Sequence, residues 1–215
     1  IVLQRMTRSE RMTAAVSALP MVIFSGRTFA GENIIPLKID FLEMVGVGCR
    51  LLAKAGKKRP AVIANTGLPL DFVPEIVKRA AQQNLMTDET MVLGMCLCRE
   101  AVPWCEQLLK ALFAPSRKDR PDSMIVLNEN FLEVVKNSLR QLGLSDVPIV
   151  SHCNFPVKTP SPEKVIRVGN DIRTSLLLAL DALKSKPQSH RPPLLLPVVD
   201  ESQLAKEVVW TKQSK

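Results

Sequence analysis

Few side chains in this 215-residue chain are suited to chemistry, and their spacing limits what they can do. There are two histidines, His152 and His190, and five cysteines, Cys49, Cys96, Cys98, Cys105 and Cys153. His152-Cys153 has the residue types of a thiol nucleophile and its base. Neighbours on a strand point to opposite faces, however, so the imidazole cannot serve the thiol. Cys96 and Cys98 share a strand face, but the sequence supplies no further pair of ligands to close a zinc site. A Walker or dinucleotide phosphate loop and a Gly-x-Ser-x-Gly elbow are both missing. These observations argue against an enzyme, and they call for no metal and no cofactor.

Hydrogen-bonding residues at element junctions are better candidates. Asn128 follows an apolar run and opens a helical one, so its amide can hold a hydroxyl-bearing ligand, cap the helix, or do both. Asp40 sits at a similar junction, where a carboxylate can accept two sugar hydroxyls or cap the helix behind it. Trp104 opens another helical stretch. Its ring offers a platform for a sugar or purine, or packs in the core.

The elements that must position these residues alternate. Met21-Val22-Ile23-Phe24, Ile34 to Ile39, Ala61-Val62-Ile63-Ala64, residues 91–98, Met124-Ile125-Val126-Leu127, residues 147–152, 165–168 and 194–199 read as short buried strands. Between them lie helical patterns. Phe41, Val45, Cys49 and Leu52 share one face, with Gly56 as the stop signal. Trp104, Leu108 and Leu112 share another. Phe131, Val135, Leu139 and Leu142 precede the stop at Gly143, and Ile172, Leu176, Leu180 and Leu183 form the last face. A polar stretch at 7–19 also has helical spacing. Strands alternating with helices of about ten to fifteen residues predict an α/β fold with mostly parallel sheets covered on both faces. Whether there is one sheet or two stays open.

Composition narrows the class. No apolar run approaches ~18 residues, so nothing here is expected to span a bilayer. Tyrosine is absent and aromatic residues make up 4%, which speaks against a surface built on base stacking. An odd number of scattered cysteines fits buried thiols in a reducing cytoplasm better than a disulfide framework. The net charge of +8 is spread over Lys57-Lys58-Arg59, Arg117-Lys118-Asp119-Arg120 and the C-terminal tail. Such clusters read as solvated loops and helix ends, or as a surface facing nucleic acid or a phosphate-bearing ligand. The chain opens on Ile1 with no charged leader, and a longer parent protein is expected.

Three stretches resemble the core of the LacI/GalR family of bacterial transcription regulators. The first runs from Asp40 through Gly56-Lys57-Lys58-Arg59-Pro60-Ala61-Val62-Ile63, with Lys57 in place of the usual His. In the second, Met124-Ile125-Val126-Leu127-Asn128-Glu129 leads through a helix to Gly143-Leu144-Ser145-Asp146-Val147-Pro148-Ile149-Val150, with Glu129 for the usual Asp. The third runs from Pro160-Ser161-Pro162 through Leu183 to Leu194-Leu195-Leu196-Pro197-Val198-Val199.

The resemblance implies a two-lobed, periplasmic-binding-protein-like fold whose first lobe is incomplete. Residues 1–58 plus 166–190 would form the N-terminal lobe, and 59–165 plus 191–215 the C-terminal lobe. A sugar-like effector would bind between the lobes, where Asn128, Asp40 and Trp104 are joined by Cys153 or Asn154, at the position of the family's effector-binding Asp. The family's ligand-binding Arg has no counterpart in 68–75. It also implies a homodimer that controls DNA through a domain upstream of this sequence, without contact to a membrane. A solute-binding protein of a transport system and, less favoured, a small α/β enzyme are the alternatives.

Overall fold

A computed structural model describes residues 2–3, 20–25, 34–65, 71–96, 98, 101–156, 165–184, 194–195 and 197–199. The helical pattern at 7–19, the loop at 160–162 and His190 lie outside the described residues. The first described helix, α1 (Phe41–Lys54), shows how each unit is built. Asp40 Oδ1 accepts the Glu43 N–H at 2.8 Å, satisfying a donor that the helix start leaves free. Met44, Val45, Cys49 and Leu52 are buried along one stripe. Gly56 then turns the chain with φ of 74°, and the Lys57 N–H closes back onto the Leu52 carbonyl at 3.0 Å. Gly143 ends a later helix in the same way. So does Asn84, whose φ of 57° accompanies a bond from the Leu85 N–H to the Ala80 carbonyl.

The described strands form two sheets. The smaller contains β1 (Val2–Leu3), β2 (Met21–Ser25), β3 (Ile34–Ile39) and β9 (Leu194–Leu195), in that order and all parallel. The larger contains β4 (Pro60–Asn65), β5 (Val92–Met95), β6 (Ser123–Val126), β7 (Ile149–Phe155), β8 (Val165–Asp171) and β10 (Val198–Val199). Its order is β10-β8-β7-β6-β4-β5, and only β10 runs antiparallel.

Successive strand residues face opposite ways, so the larger sheet feeds two cores. On one face Ile63, Met124, Val126 and Ile149 meet α3 (Ala101–Leu112) and α4 (Leu132–Gln141) through Cys105, Leu109, Val135 and Leu139. On the other, Val62, Ile125, Val150, Ile166 and Val168 meet α1 and α2 (Phe72–Ala81) through Met44, Val45, Leu52 and Ile76. Beneath the smaller sheet, Val22 and Leu37 pack on Ala179 of α5 (Ile172–Lys184). That helix touches β2 and β3 of one sheet and β7 and β8 of the other.

Where the chain changes sheet differs from the boundaries read in the sequence. By packing, α1 lies on the larger sheet, so the first change follows β3 near Asp40 rather than residue 58. The whole of β8 pairs in the larger sheet, which puts the second change after Asp171 rather than 165. The run 194–199 is two strands, one in each sheet, with Pro197 between them.

The third helix corrects the face assigned to it. Its buried stripe is Ala101, Cys105, Leu109 and Leu112, whereas Trp104 is 70% exposed and Leu108 38%. The helix begins three residues earlier than the apolar pattern suggests. Its small Ala and Cys side chains lie against the sheet, and the indole points outward.

Candidate functional site

Because β4 to β8 run parallel, their carboxyl ends share one edge of the larger sheet, the position where open α/β sheets bind ligands. Polar residues collect there as β6, β7 and β8 run out of apolar sequence.

Asn128, half-buried, leaves β6 one residue after Leu127. Its Oδ1 accepts the Asn130 N–H at 3.0 Å and caps a single 3₁₀ turn, Glu129–Phe131, that leads into α4. The amide N–H groups of Asn128 have no partner among the described residues. Glu129 lies across from β7, where its Oε1 accepts from Asn154 Nδ2 at 2.8 Å. This bond ties the loops at the ends of two neighbouring strands.

His152 occupies the same face of β7 as Asn154, two residues earlier. Burial holds its imidazole below the ordinary value of 6.5, while the nearby Glu129 charge opposes that shift. At neutral pH the ring is therefore uncharged. Asn170 of β8 is in register with Asn154 and is buried, and its Oδ1 has no hydrogen-bond partner among the described residues. Asp171, next along β8, accepts the N–H groups of Arg173 at 2.9 Å and Thr174 at 3.1 Å, so it caps α5. The bond from Thr174, then that from Arg173, holds its carboxyl below the usual range.

Of the residues singled out in the sequence, Asn128 and Asn154 are brought to this edge and linked through Glu129. Cys153 precedes Asn154 and is buried to 1% exposure. Its carbonyl explains the glycine opposite, since a Cβ on Gly169 would lie 1.7 Å from the Cys153 oxygen. Asp40 spends one carboxylate oxygen on the cap of α1. Trp104 stands on the outward face of α3. Sequence reasoning passed over Glu129 and Asn170 as site residues. The available signal was a polar residue two positions past an apolar run, in Leu127-Asn128-Glu129 and Val168-Gly169-Asn170.

Cys49, Cys105 and Cys153 are buried, whereas Cys96 and Cys98 lie past the end of β5 and are exposed rather than sharing a strand face. Burial pushes the Cys49 thiol up to about 12 and that of Cys105 to about 11, so both stay protonated. Among the described residues no three His, Cys, Asp or Glu side chains come together as a metal site would require. No helix of the described residues is long and apolar enough to cross a membrane.

No protein-family model matches the sequence, and no curated protein matches it. Solved structures do share its fold. The transcription regulator CcpA of Lactococcus lactis superposes with a TM-score of 0.70 at 18% identity, over 93% of this chain and 74% of that protein. A LacI-family transcriptional regulator from Mycobacterium smegmatis gives 0.68 at 17% identity, over 93% and 76%. The transcriptional regulator CelR, solved with cellobiose, gives 0.69 at 16% identity, over 93% and 63%. At such identities the shared property is the fold: an α/β architecture of parallel sheets flanked by helices, like that of LacI-type regulators.

Proposed function

We propose that this chain is the effector-sensing part of a LacI-type transcription regulator, with its ligand held at the carboxyl edge of the larger sheet. The observation that carries this reading is the fold likeness, which spans nearly the whole chain. The Asn128–Glu129–Asn154 group supports it. Amides and a carboxylate on short loops can exchange hydrogen bonds with the hydroxyls of a sugar-like molecule. Asp40, Trp104 and Cys153 belong to the proposal as further candidates around that ligand.

In this reading the smaller sheet belongs to an incomplete N-terminal lobe and the larger sheet to a C-terminal lobe. An effector that fits one lobe arrangement better shifts the population toward it by its differential affinity. The shift would be read by a DNA-binding domain outside this sequence, in a cytoplasmic homodimer. The protein would bind and signal rather than catalyse.

A thermal-shift panel of sugars, sugar phosphates and nucleosides tests the reading, with cellobiose among the first compounds. Saturation at about 100 times the dissociation constant adds about 2.7 kcal/mol of stability. The expected result is a rise in melting temperature with at least one sugar, reduced in Asn128→Ala and Asn154→Ala. A panel without any such rise, or a rise untouched by both substitutions, counts against it.

A further inference from the structure

The two basic stretches of the sequence, 57–59 and 117–120, are some sixty residues apart in the chain, as their bonded partners show. The fold brings them to one place, the amino edge of the larger sheet, opposite the edge described above. Pro60 and Ser123, the first residues of β4 and β6, are register partners. Just before them, Asp122 accepts the Lys58 N–H at 2.8 Å and the Arg59 N–H at 3.0 Å, and Arg59 Nε donates to the Arg120 carbonyl at 3.0 Å.

Between the stretches lies an open hollow of about 390 Å³, lined by Arg59, Lys118, Asp88 and Asp119, with Met86 and Met91 among its apolar walls. Its charges are unequally committed. Asp119 is held in a two-bonded fork by Arg117, at 2.8 and 2.9 Å. Asp88 accepts both the N–H and the hydroxyl of Thr90, at 2.8 and 2.6 Å. Lys118, by contrast, has no hydrogen bond or ion pair among the described residues, and the Arg59 guanidinium forms no ion pair there. With Asp119 paired to Arg117, Arg59 and Lys118 outnumber the one remaining carboxylate, Asp88, so the hollow carries a net positive charge and favours an anion.

From this arrangement we infer a second binding site, for a small organic anion that carries a phosphate or carboxylate on an apolar or ring body. Arg59 and Lys118 take the charged group, and the thioether walls of Met86 and Met91 take the body. The volume suits a small molecule, since ligand pockets span roughly 300–1,000 Å³. A nucleic acid would instead require cations along a track of successive phosphates, whereas Arg59 and Lys118 face a single hollow.

Calorimetric titration of the 215-residue chain with phenyl phosphate at low salt tests the site. Binding should weaken about tenfold in Lys118→Glu, in line with the loss of a charge-assisted hydrogen bond. Added salt should weaken it as well, because the site is open to solvent. Lys118 is exposed and unbonded, so this substitution leaves folding intact, and an unchanged melting temperature serves as the control. Phenol and inorganic phosphate should each bind more weakly than the joined molecule, and Asn128→Ala should bind phenyl phosphate like the unsubstituted chain. Equal affinity in the unsubstituted chain and Lys118→Glu overturns the inference, as does an absence of binding. A DNA duplex that binds through Lys118 and is not displaced by phenyl phosphate also overturns it, in favour of a nucleic-acid surface.

Discussion

The two edges of the larger sheet are built from the same strands yet carry opposite chemistry. At the carboxyl edge, acidic and amide residues stand where helices begin: Asp40 before α1, Asp71 before α2, Asn128 before the turn into α4, and Asp171 before α5. At the amino edge, Lys54 closes α1 and Lys57-Lys58-Arg59 follow it. Helix dipoles account for part of this sorting, because helix starts favour negative groups and helix ends positive ones. What the dipole leaves unexplained is the surplus at each edge. The Asn128–Glu129–Asn154 link spans two loops, and Arg59 and Lys118 line a hollow. Charge that exceeds the needs of the helices is where ligands should be sought.

The comparison can be broken first at its frame. Gly169→Ala should cost about 3 kcal/mol or more and sharply lower the urea midpoint, because the new methyl would overlap the Cys153 carbonyl oxygen. An alanine variant of ordinary stability would mean that β7 and β8 do not approach as described, and the carboxyl-edge group would lose its geometry. Next, Asp122→Ala removes an acceptor of two backbone N–H groups and the Ser123 hydroxyl at the amino edge, and should cost about 2 kcal/mol. Asn154→Ala at the carboxyl edge loses one partly buried bond to Glu129 and should cost about 1 kcal/mol. If the order reversed, the carboxyl edge would be the structural clamp and the amino edge the more dispensable one.

The smallest effect concerns pH. His152 has a folded-state value below its ordinary 6.5, so the unfolded chain takes up its proton more readily. Its contribution is absent above that value and becomes destabilising as pH falls below it, levelling off once the folded ring also protonates. Denaturation midpoints measured between neutral and mildly acidic pH should show this loss, and His152→Gln should flatten it. Asp171 acts in the same direction lower on the scale. Its folded value is depressed, so its stabilisation is present above the usual carboxylate range and disappears as pH drops through the folded value.

Much of the fold was legible because buried parallel strands read as short apolar runs, and Ala61 to Ala64 and Met124 to Leu127 are buried throughout. Gly56 and Gly143 announced helix ends because their positive φ suits glycine. Asn84 does the same work and escaped notice, since asparagine also fills ordinary loops. Trp104 and Leu108 misled because the stripe one residue aside, Cys105 and Leu109, was also apolar, while Leu112 is buried as read. The division of 194–199 between sheets rests on pairing with distant strands, to which a local pattern is blind. Among the candidate residues, Asn128 was suggested by its own place in the sequence, and Asn154, beside Cys153, through the family resemblance. Their bridge, Glu129, followed the same apolar run as Asn128, but its role was hidden because the bond to Asn154 joins residues twenty-five positions apart.

Most direct would be a chemical-shift map of the isotopically labelled chain, titrated with the sugar that gives the largest thermal shift. The expected result is movement concentrated at Asn128, Glu129, Asn154 and Asn170, with Arg59 and Lys118 still. Movement confined to Arg59 and Lys118, or scattered over both edges alike, would contradict a sensing site at the carboxyl ends of the strands.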